Sequence, residues 1–211
     1  MQKIIKTIAI GLVVCLTTLA SAQGVLDFNN KPISLSYYGD NLIHSGIKVG
    51  TSHLLGTKVK TKVHKWKGLE KKRGSKIKRI DYTADLNLSL YNHPNNHTGL
   101  LLGLGATRLR TNTRKNRSVG WTAEVSYLRR FYNVKTYELA SDGTIQKIPL
   151  AGNNGLVLSV SPSFGKVIKP QIYNRTIRIY GRSILQVVTY NHRWIPNAAF
   201  EFGVTLNPVK I

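Results

Sequence analysis

The chain has 211 residues and carries 31 Lys and Arg side chains against 9 Asp and Glu, a formal charge of +22. A basic excess is typical of nucleic-acid-binding proteins, but 42% of the residues are hydrophobic and only 19% are charged, which excludes a disordered basic tail. Collagen-like, coiled-coil and disulfide-rich classes are excluded by composition, and the length allows one domain or at most two.

Residues 1–22 have the pattern of a cleaved secretory signal peptide. Two lysines precede an apolar run at 8–16, and Ala20-Ser21-Ala22 offers small residues for cleavage before Gln23. The alternative is an N-terminal membrane anchor, but the run is shorter than the about 20 residues that a membrane helix needs. Cleavage removes Cys15, the only cysteine, so we expect no disulfide, cysteine nucleophile or Cys-ligated metal in residues 23–211.

Apolar and polar side chains alternate in several later segments. From Arg79 to Leu90, Ile, Tyr, Ala and Leu occupy the even positions, and Arg, Asp, Thr, Asn and Ser occupy the odd ones. The same period of two appears in residues 118–127, 155–164 and 197–206. Alternation of this kind predicts β-strands, and about ten residues is the length of a tilted strand that crosses a bilayer.

The polar face of these strands distinguishes two all-β architectures. It consists mostly of Gly, Ser, Thr and Asn, which fit the narrow lumen of a small barrel, while Leu, Val, Phe, Tyr and Trp occupy the other face. A soluble sandwich usually presents Lys, Glu and Arg on its polar face. The pattern therefore favours a transmembrane barrel over the alternative, a secreted β-sandwich that binds acidic glycans.

We predict eight strands, and ten is the alternative count. An even number places both chain ends on the periplasmic side. The least marked turn lies near Arg129-Arg130, which has neither Gly nor Pro, whereas Asp142-Gly143 is a good hairpin turn. The predicted strands are 42–65, 76–91, 98–110, 118–129, 131–139, 145–165, 172–188 and 197–207.

Signal peptide, ten-residue alternations and a last strand from Ala198 to Leu206 together resemble the small outer-membrane β-barrel proteins of Gram-negative bacteria, of the porin-like, OmpA-like or OmpX-like kind. The segments Tyr38–Gly46 and Tyr91–His97 resemble those of poorly characterised members. The resemblance implies a single antiparallel up-and-down barrel over residues 23–211 in the cell outer membrane. Its implied partners are outer-membrane lipids, lipopolysaccharide and the outer-membrane assembly machinery.

Half of the basic excess is concentrated in residues 58–79, which hold eleven basic residues and one acidic residue. We interpret this region as a strand that runs into an extracellular basic loop, with a second basic cluster around 114–117 on the same side. A solvated loop is the alternative to contact with anionic lipids, and only Trp66 is available to stack a nucleic-acid base. The candidate contact residues are Lys58, Lys60, Lys62, Lys65, Lys67, Lys71, Lys72, Arg73, Lys76, Lys78, Arg79, Arg114, Lys115 and Arg117.

Charged residues also fall on the predicted lumen face, where we expect them to pair inside a packed barrel that conducts little. These residues are Asp81, Asp85, Glu124 and Glu201, with Arg79, Arg178 and Arg182.

No motif predicts catalysis. Glu124 and Ser126 share one strand face, and His93 and His97 flank a turn, but the chain has no Gly-x-Ser-x-Gly elbow and no His-Glu-x-x-His. We therefore expect no catalytic, metal or cofactor site and no nucleic-acid partner. The expected role is membrane integrity, surface contact or lipopolysaccharide binding, and the alternative is an acyl hydrolase that modifies lipid A or phospholipid.

Overall fold

A computed structural model describes residues 31–40, 44–62, 76–94, 96–139, 143–172, 175–190 and 193–208. The predicted signal peptide lies outside the described residues, and the compact unit with the strands begins at Pro32. No helix in the described part is long and apolar enough to cross a membrane. The strands are β1 (Ile33–Asp40), β2 (His44–Lys62), β3 (Lys76–His93), β4 (His97–Asn112), β5 (Arg117–Tyr132), β6 (Tyr137–Leu139), β7 (Ile145–Lys147), β8 (Gly152–Ile172), β9 (Arg175–Tyr190) and β10 (Arg193–Pro208).

Eight of these strands form a closed antiparallel barrel in the order β1-β10-β9-β8-β5-β4-β3-β2. The ring closes because β1 pairs with β2 on one edge and with β10 on the other, Tyr38 lying opposite Gly46 and Glu201. The all-β class, the up-and-down topology and the count of eight are confirmed. The sandwich alternative is wrong, since a single sheet closes on itself and leaves no second layer.

Three details of the predicted strand set are wrong, one of them the strand predicted over 145–165, which divides into β7 and β8. β1 was absent from it, although Ile33, Leu35 and Tyr37 alternate with serines, because this alternation covers only five residues and ends at Tyr38. The predicted turn at Arg129-Arg130 does not exist, since β5 continues to Tyr132. Of the predicted strand 131–139, residues 137–139 form β6, which pairs with β7 outside the barrel around Gly143, a residue with a φ of 81°.

The outer surface of the barrel is apolar, as the alternation predicted. Leu104 is 67% exposed, Trp121 57%, Leu185 68% and Phe202 61%. Their neighbours along each strand point inward and are buried, as in β5, where Thr122 and Ser126 are each 2% exposed. The fold therefore places its polar side chains inside and its large apolar side chains outside.

Part of the lumen is filled by an apolar and aromatic cluster rather than by small polar residues. Inward glycines make room for the largest of these side chains, as where the Tyr91 ring packs directly against Gly99. The buried cluster comprises Tyr38, Tyr91, Leu101, Leu128, Val157, Ile184, Val188 and Ala199.

The two ends of the barrel differ in charge and in connections. One end, called here the basic end, carries the start of β1 and the end of β10, together with Lys62 and Lys76, which pair where β2 ends and β3 begins. The other, called the hairpin end, carries the turn at 94–96 and the connection that holds β6 and β7. Because β1 precedes β2, the end of β2 lies at the same end of the barrel as both chain ends. The chain ends were predicted to be periplasmic and the basic region extracellular, and that combination is wrong.

Candidate functional site

Glu124 of β5 is the acceptor at the centre of a polar network in the lumen. Its carboxylate accepts from Lys48 Nζ at 3.1 and 3.3 Å and from Asn87 Nδ2 at 2.7 Å. Ser126 Oγ donates to it at 3.0 Å. Four donor–acceptor contacts on one buried carboxylate stabilise its charge, because each replaces a hydrogen bond to water.

Glu201 of β10 lies beside the same lysine. Ser36 Oγ and the Tyr180 hydroxyl donate to its Oε1 at 2.9 and 2.5 Å, while Lys48 Nζ and Arg182 Nη1 lie 3.6 Å from its Oε2. Lys48, which was not among the predicted lumen charges, thus lies between two carboxylates. The signal was present, since Lys48 occupies the inward position between the exposed Ile47 and Val49.

The other predicted lumen charges also have polar partners, either hydroxyl groups or an opposite charge. Thr83 and Thr107 donate to Asp85, and Arg178 Nε donates to Ser118 Oγ at 2.8 Å. Arg79 Nε lies 2.7 Å from Asp81 Oδ1 in a more exposed position. The predicted pairing of charges is confirmed for Glu124, Glu201, Arg182, Arg79 and Asp81, whereas Asp85 and Arg178 have hydroxyl partners instead of an opposite charge.

The residues considered for serine catalysis are not brought together. Ser126 donates to Glu124, but His97 pairs with Tyr132, six positions along β5 from Ser126. At about 3.3 Å per residue this separates them by about 20 Å. A nucleophilic serine needs a base within hydrogen-bond reach, so this set cannot act as a catalytic triad.

A cavity of about 330 Å³ opens between the strands towards the hairpin end and is called here the mouth cavity. Its apolar wall consists of Leu101, Leu128, Val157 and Val188, which belong to the buried cluster. A volume of this size fits a small organic ligand. No local sequence pattern predicts this cavity, because its lining comes from strands that are distant along the chain.

Asp40, at the end of β1, is the carboxylate of the mouth cavity. Its Oδ1 accepts from Gln186 Nε2 and Asn197 Nδ2, both at 2.8 Å, while its Oδ2 lies 3.9 Å from His44 Nδ1. Gln186 also accepts from the Tyr38 hydroxyl at 3.2 Å. The amides fix the carboxylate in place through Oδ1, and none of the described residues donates a hydrogen bond to Oδ2.

Three histidines lie near Asp40. His44 stacks on His93 with ring centroids 3.7 Å apart, and the His93 and His97 rings are 5.3 Å apart. His97 Nε2 is 3.3 Å from the Tyr91 hydroxyl. Stacked imidazoles do not point their nitrogens at one centre, and no group of three His, Cys, Asp or Glu residues in the described ranges is placed to hold a metal.

Arg130 of β5 is the cation of the mouth cavity, and it is 7% exposed. Its Nη1 donates to Asn153 Oδ1 at 3.2 Å, and its guanidinium lies 5.4 Å from the centroid of the Tyr190 ring. Asn153 and Tyr190 hold the planar group without neutralising it.

The described residues of both predicted basic clusters lie at the basic end. Lys58 and Lys60 extend β2 beyond a bulge at Leu54/Gly56, and Lys60 pairs with Lys78 of β3. Lys78 in turn pairs with Asn112, next to the turn that holds Arg114 and Lys115. Residues 65–73 of the candidate set lie outside the described residues, and the described candidates are Lys58, Lys60, Lys78, Arg79, Arg114, Lys115 and Arg117, with Lys62 and Lys76 described in their backbone only.

No protein-family model and no curated protein matches the chain. Solved structures that are similar to it include two outer-membrane proteins. The outer membrane enzyme PagL is 9% identical with a TM-score of 0.42, over 84% of this chain and 99% of that one. The beta domain of the Bordetella autotransporter BrkA is 11% identical with a TM-score of 0.36, over 82% of this chain and 68% of that one. Neither similarity assigns a role to a residue of this chain.

Proposed function

We propose that the chain is a non-enzymatic outer-membrane β-barrel that contributes to the integrity of the cell envelope. The observation that carries the proposal is the inversion of polarity, with Glu124 and Glu201 inside and residues such as Leu104 and Trp121 outside. An apolar surface that encircles a barrel exceeds the few hundred Å² that soluble monomers expose, and hydrocarbon is the solvent that suits it.

The packed lumen supports a structural role rather than a conducting one. Lys48 joins Glu124 and Glu201 across the interior, and the buried rings of Tyr38 and Tyr91 occupy part of the lumen beside the mouth cavity. Eight-stranded barrels of this kind have interiors that side chains fill.

Extraction and gel migration test this proposal. We expect the protein to stay in the outer-membrane fraction after washing with concentrated salt, to require detergent for release, and to migrate faster in gels before heating than after it. Release by salt alone would contradict membrane insertion. The non-enzymatic part is tested by mass spectrometry of lipid A from cells with and without the gene, where a loss of acyl chains would establish the acyl-hydrolase alternative.

We further propose that the basic end contacts phosphate groups of membrane lipids. Lys58, Lys60, Arg114, Lys115 and Arg117 are exposed there, and each basic side chain near an anionic surface contributes about 1 kcal/mol. The phosphates belong either to phospholipids of the inner leaflet or to lipopolysaccharide of the outer leaflet.

Refolding into vesicles distinguishes the two phosphate sources. The barrel is compared in neutral phosphatidylcholine, in vesicles that contain phosphatidylglycerol, and in vesicles that contain lipopolysaccharide. We expect anionic vesicles to raise its resistance to urea, and salt to abolish the gain. The Arg114→Gln, Lys115→Gln and Arg117→Gln triple variant should lose the gain, whereas Lys135→Gln with Lys147→Gln at the hairpin end should keep it. Equal resistance in all three vesicles would refute the contact.

A further inference from the structure

We propose that the mouth cavity binds a small zwitterion with an apolar body, whose cationic group meets Asp40 and whose anionic group meets Arg130. Asp40 and Arg130 are the carboxylate and the guanidinium among the described residues that line the cavity. The site is distinct from the lipid-phosphate contact proposed for the basic end and is independent of it.

The two charges approach the cavity from opposite walls. In the ring order, β1 and β5 are separated by β10, β9 and β8 on one side and by β2, β3 and β4 on the other, so they are diametrically opposed. Asp40 ends β1 and Arg130 lies near the end of β5, both towards the hairpin end. A ligand between them therefore meets a negative group on one side and a positive group on the other.

Both groups keep hydrogen-bonding capacity for a ligand. The 3.9 Å from Asp40 Oδ2 to His44 Nδ1 is too long for a hydrogen bond, and no other described residue donates to that oxygen, so it can accept from an ammonium group. A guanidinium has five N–H donors, of which Arg130 uses one on Asn153 and directs another towards the Tyr91 side chain, so donors remain for a ligand. Among the described residues no carboxylate lies within 4.0 Å of Arg130.

The charge balance of the cavity selects against ligands with a single charge. A monoanion bound at Arg130 would face the Asp40 carboxylate, and a monocation bound at Asp40 would face the guanidinium. A zwitterion places an opposite charge next to both Asp40 and Arg130. This matters because a charged group that is removed from water without a partner costs much free energy. His93 and His97 also line the cavity, and a neutral imidazole there adds one donor and one acceptor without adding charge.

The apolar wall sets the form of the body between the two charges. Leu101, Leu128, Val157 and Val188 line the cavity, whose 330 Å³ accommodates one benzene ring with a short substituent at each end. A rigid body is favoured, because it holds the two charges apart without a loss of conformational freedom on binding.

Three matched probes test the proposal with the refolded protein in detergent micelles. They are para-aminomethylbenzoate, which is a zwitterion, para-methylbenzoate, which lacks the ammonium group, and para-methylbenzylamine, which lacks the carboxylate. A charge-assisted hydrogen bond contributes about 1.5–3 kcal/mol, so calorimetry should give the zwitterion an affinity about 10- to 100-fold higher than either partner probe.

Variants assign each end of the probe. In Asp40→Asn the zwitterion should lose its advantage over para-methylbenzoate, and in Arg130→Gln its advantage over para-methylbenzylamine, while Arg130→Lys keeps part of it. Arg129→Gln is the matched control, because Arg129 points outward and donates to Asn154 at 2.9 Å. Heat-modifiable migration reports the fold of each variant. Equal affinity of the wild-type protein for the zwitterion and either partner probe overturns the proposal, as does the absence of saturable binding.

Discussion

Lys48 Nζ lies 3.1 Å from Glu124 Oε2, although the two residues belong to strands that are separated by β3 and β4 in the barrel. Both side chains are almost completely buried, at 5% and 9% exposure. The contact joins two walls across the interior, and because Lys48 also lies 3.6 Å from Glu201 Oε2, one cation balances carboxylates from two further strands.

Replacement of this cation should be strongly destabilising. In Lys48→Met, Glu124 and Glu201 would remain buried near each other without the ammonium group between them, and removal of one partner of a buried pair costs about 3–5 kcal/mol. Samples are heated to increasing temperatures before electrophoresis, and we expect the temperature at which the folded band disappears to fall markedly. Lys166→Met, at an exposed site, should leave it unchanged, and an equal effect of both variants would contradict the role of Lys48.

Gly103 leaves the space that the Glu124 carboxylate occupies. A Cβ atom at this position would lie 2.5 Å from Glu124 Oε1 and 2.6 Å from Ser126 Oγ, so Gly103→Ala should displace the carboxylate from Lys48. We expect a loss of about 1–3 kcal/mol, typical of overpacking in a filled interior, measured by urea unfolding in detergent. Gly181→Ala is the control, since its nearest neighbour would be a Phe202 atom at 3.8 Å. If the two variants unfold at the same urea concentration, the space at Gly103 is not required.

Alternation along single strands was sufficient to place the inward charges, because period two fixes the face of a residue once any neighbour on that strand is assigned. Asp85, Glu124 and Glu201 were found in this way. The mouth cavity was not, because it depends on ring closure: Asn197 is 157 positions from Asp40, and no local pattern links them.

Arg129-Arg130 shows the same limit at a single position. Two consecutive arginines resemble a loop in a sequence, but in β5 one faces outward to Asn154 and the other inward to Asn153. Both partners belong to β8, which is separated from β5 by the connection with β6 and β7. The omission of β1 had a larger consequence. Without it, each strand from β2 to β5 was predicted to run in the opposite direction relative to the chain ends, so the loops between them were assigned to the wrong side of the membrane.

A charge on the apolar exterior distinguishes a barrel in lipid from one in water. Leu102 is 52% exposed in the middle of β4, and an arginine on the lipid face near the bilayer midplane costs about 2–4 kcal/mol. Leu102→Arg should therefore reduce the folded fraction after refolding into vesicles. Val59→Arg is the control, because Val59 is 64% exposed in the β2 extension among Lys58 and Lys60. A Leu102→Arg variant that folds as well as the control would be evidence for an aqueous exterior.

Single cysteines report which end of the barrel faces the medium, because the predicted mature chain has none of its own. Gln146 in β7 is exposed at the hairpin end, and Lys115 is exposed at the basic end. With periplasmic chain ends, the Gln146→Cys variant should react with a large polyethylene-glycol maleimide on intact cells. Lys115→Cys should react only after the outer membrane is permeabilised. The reverse pattern would place the basic end outside, at the lipopolysaccharide surface, and equal labelling of both variants on intact cells would argue against insertion.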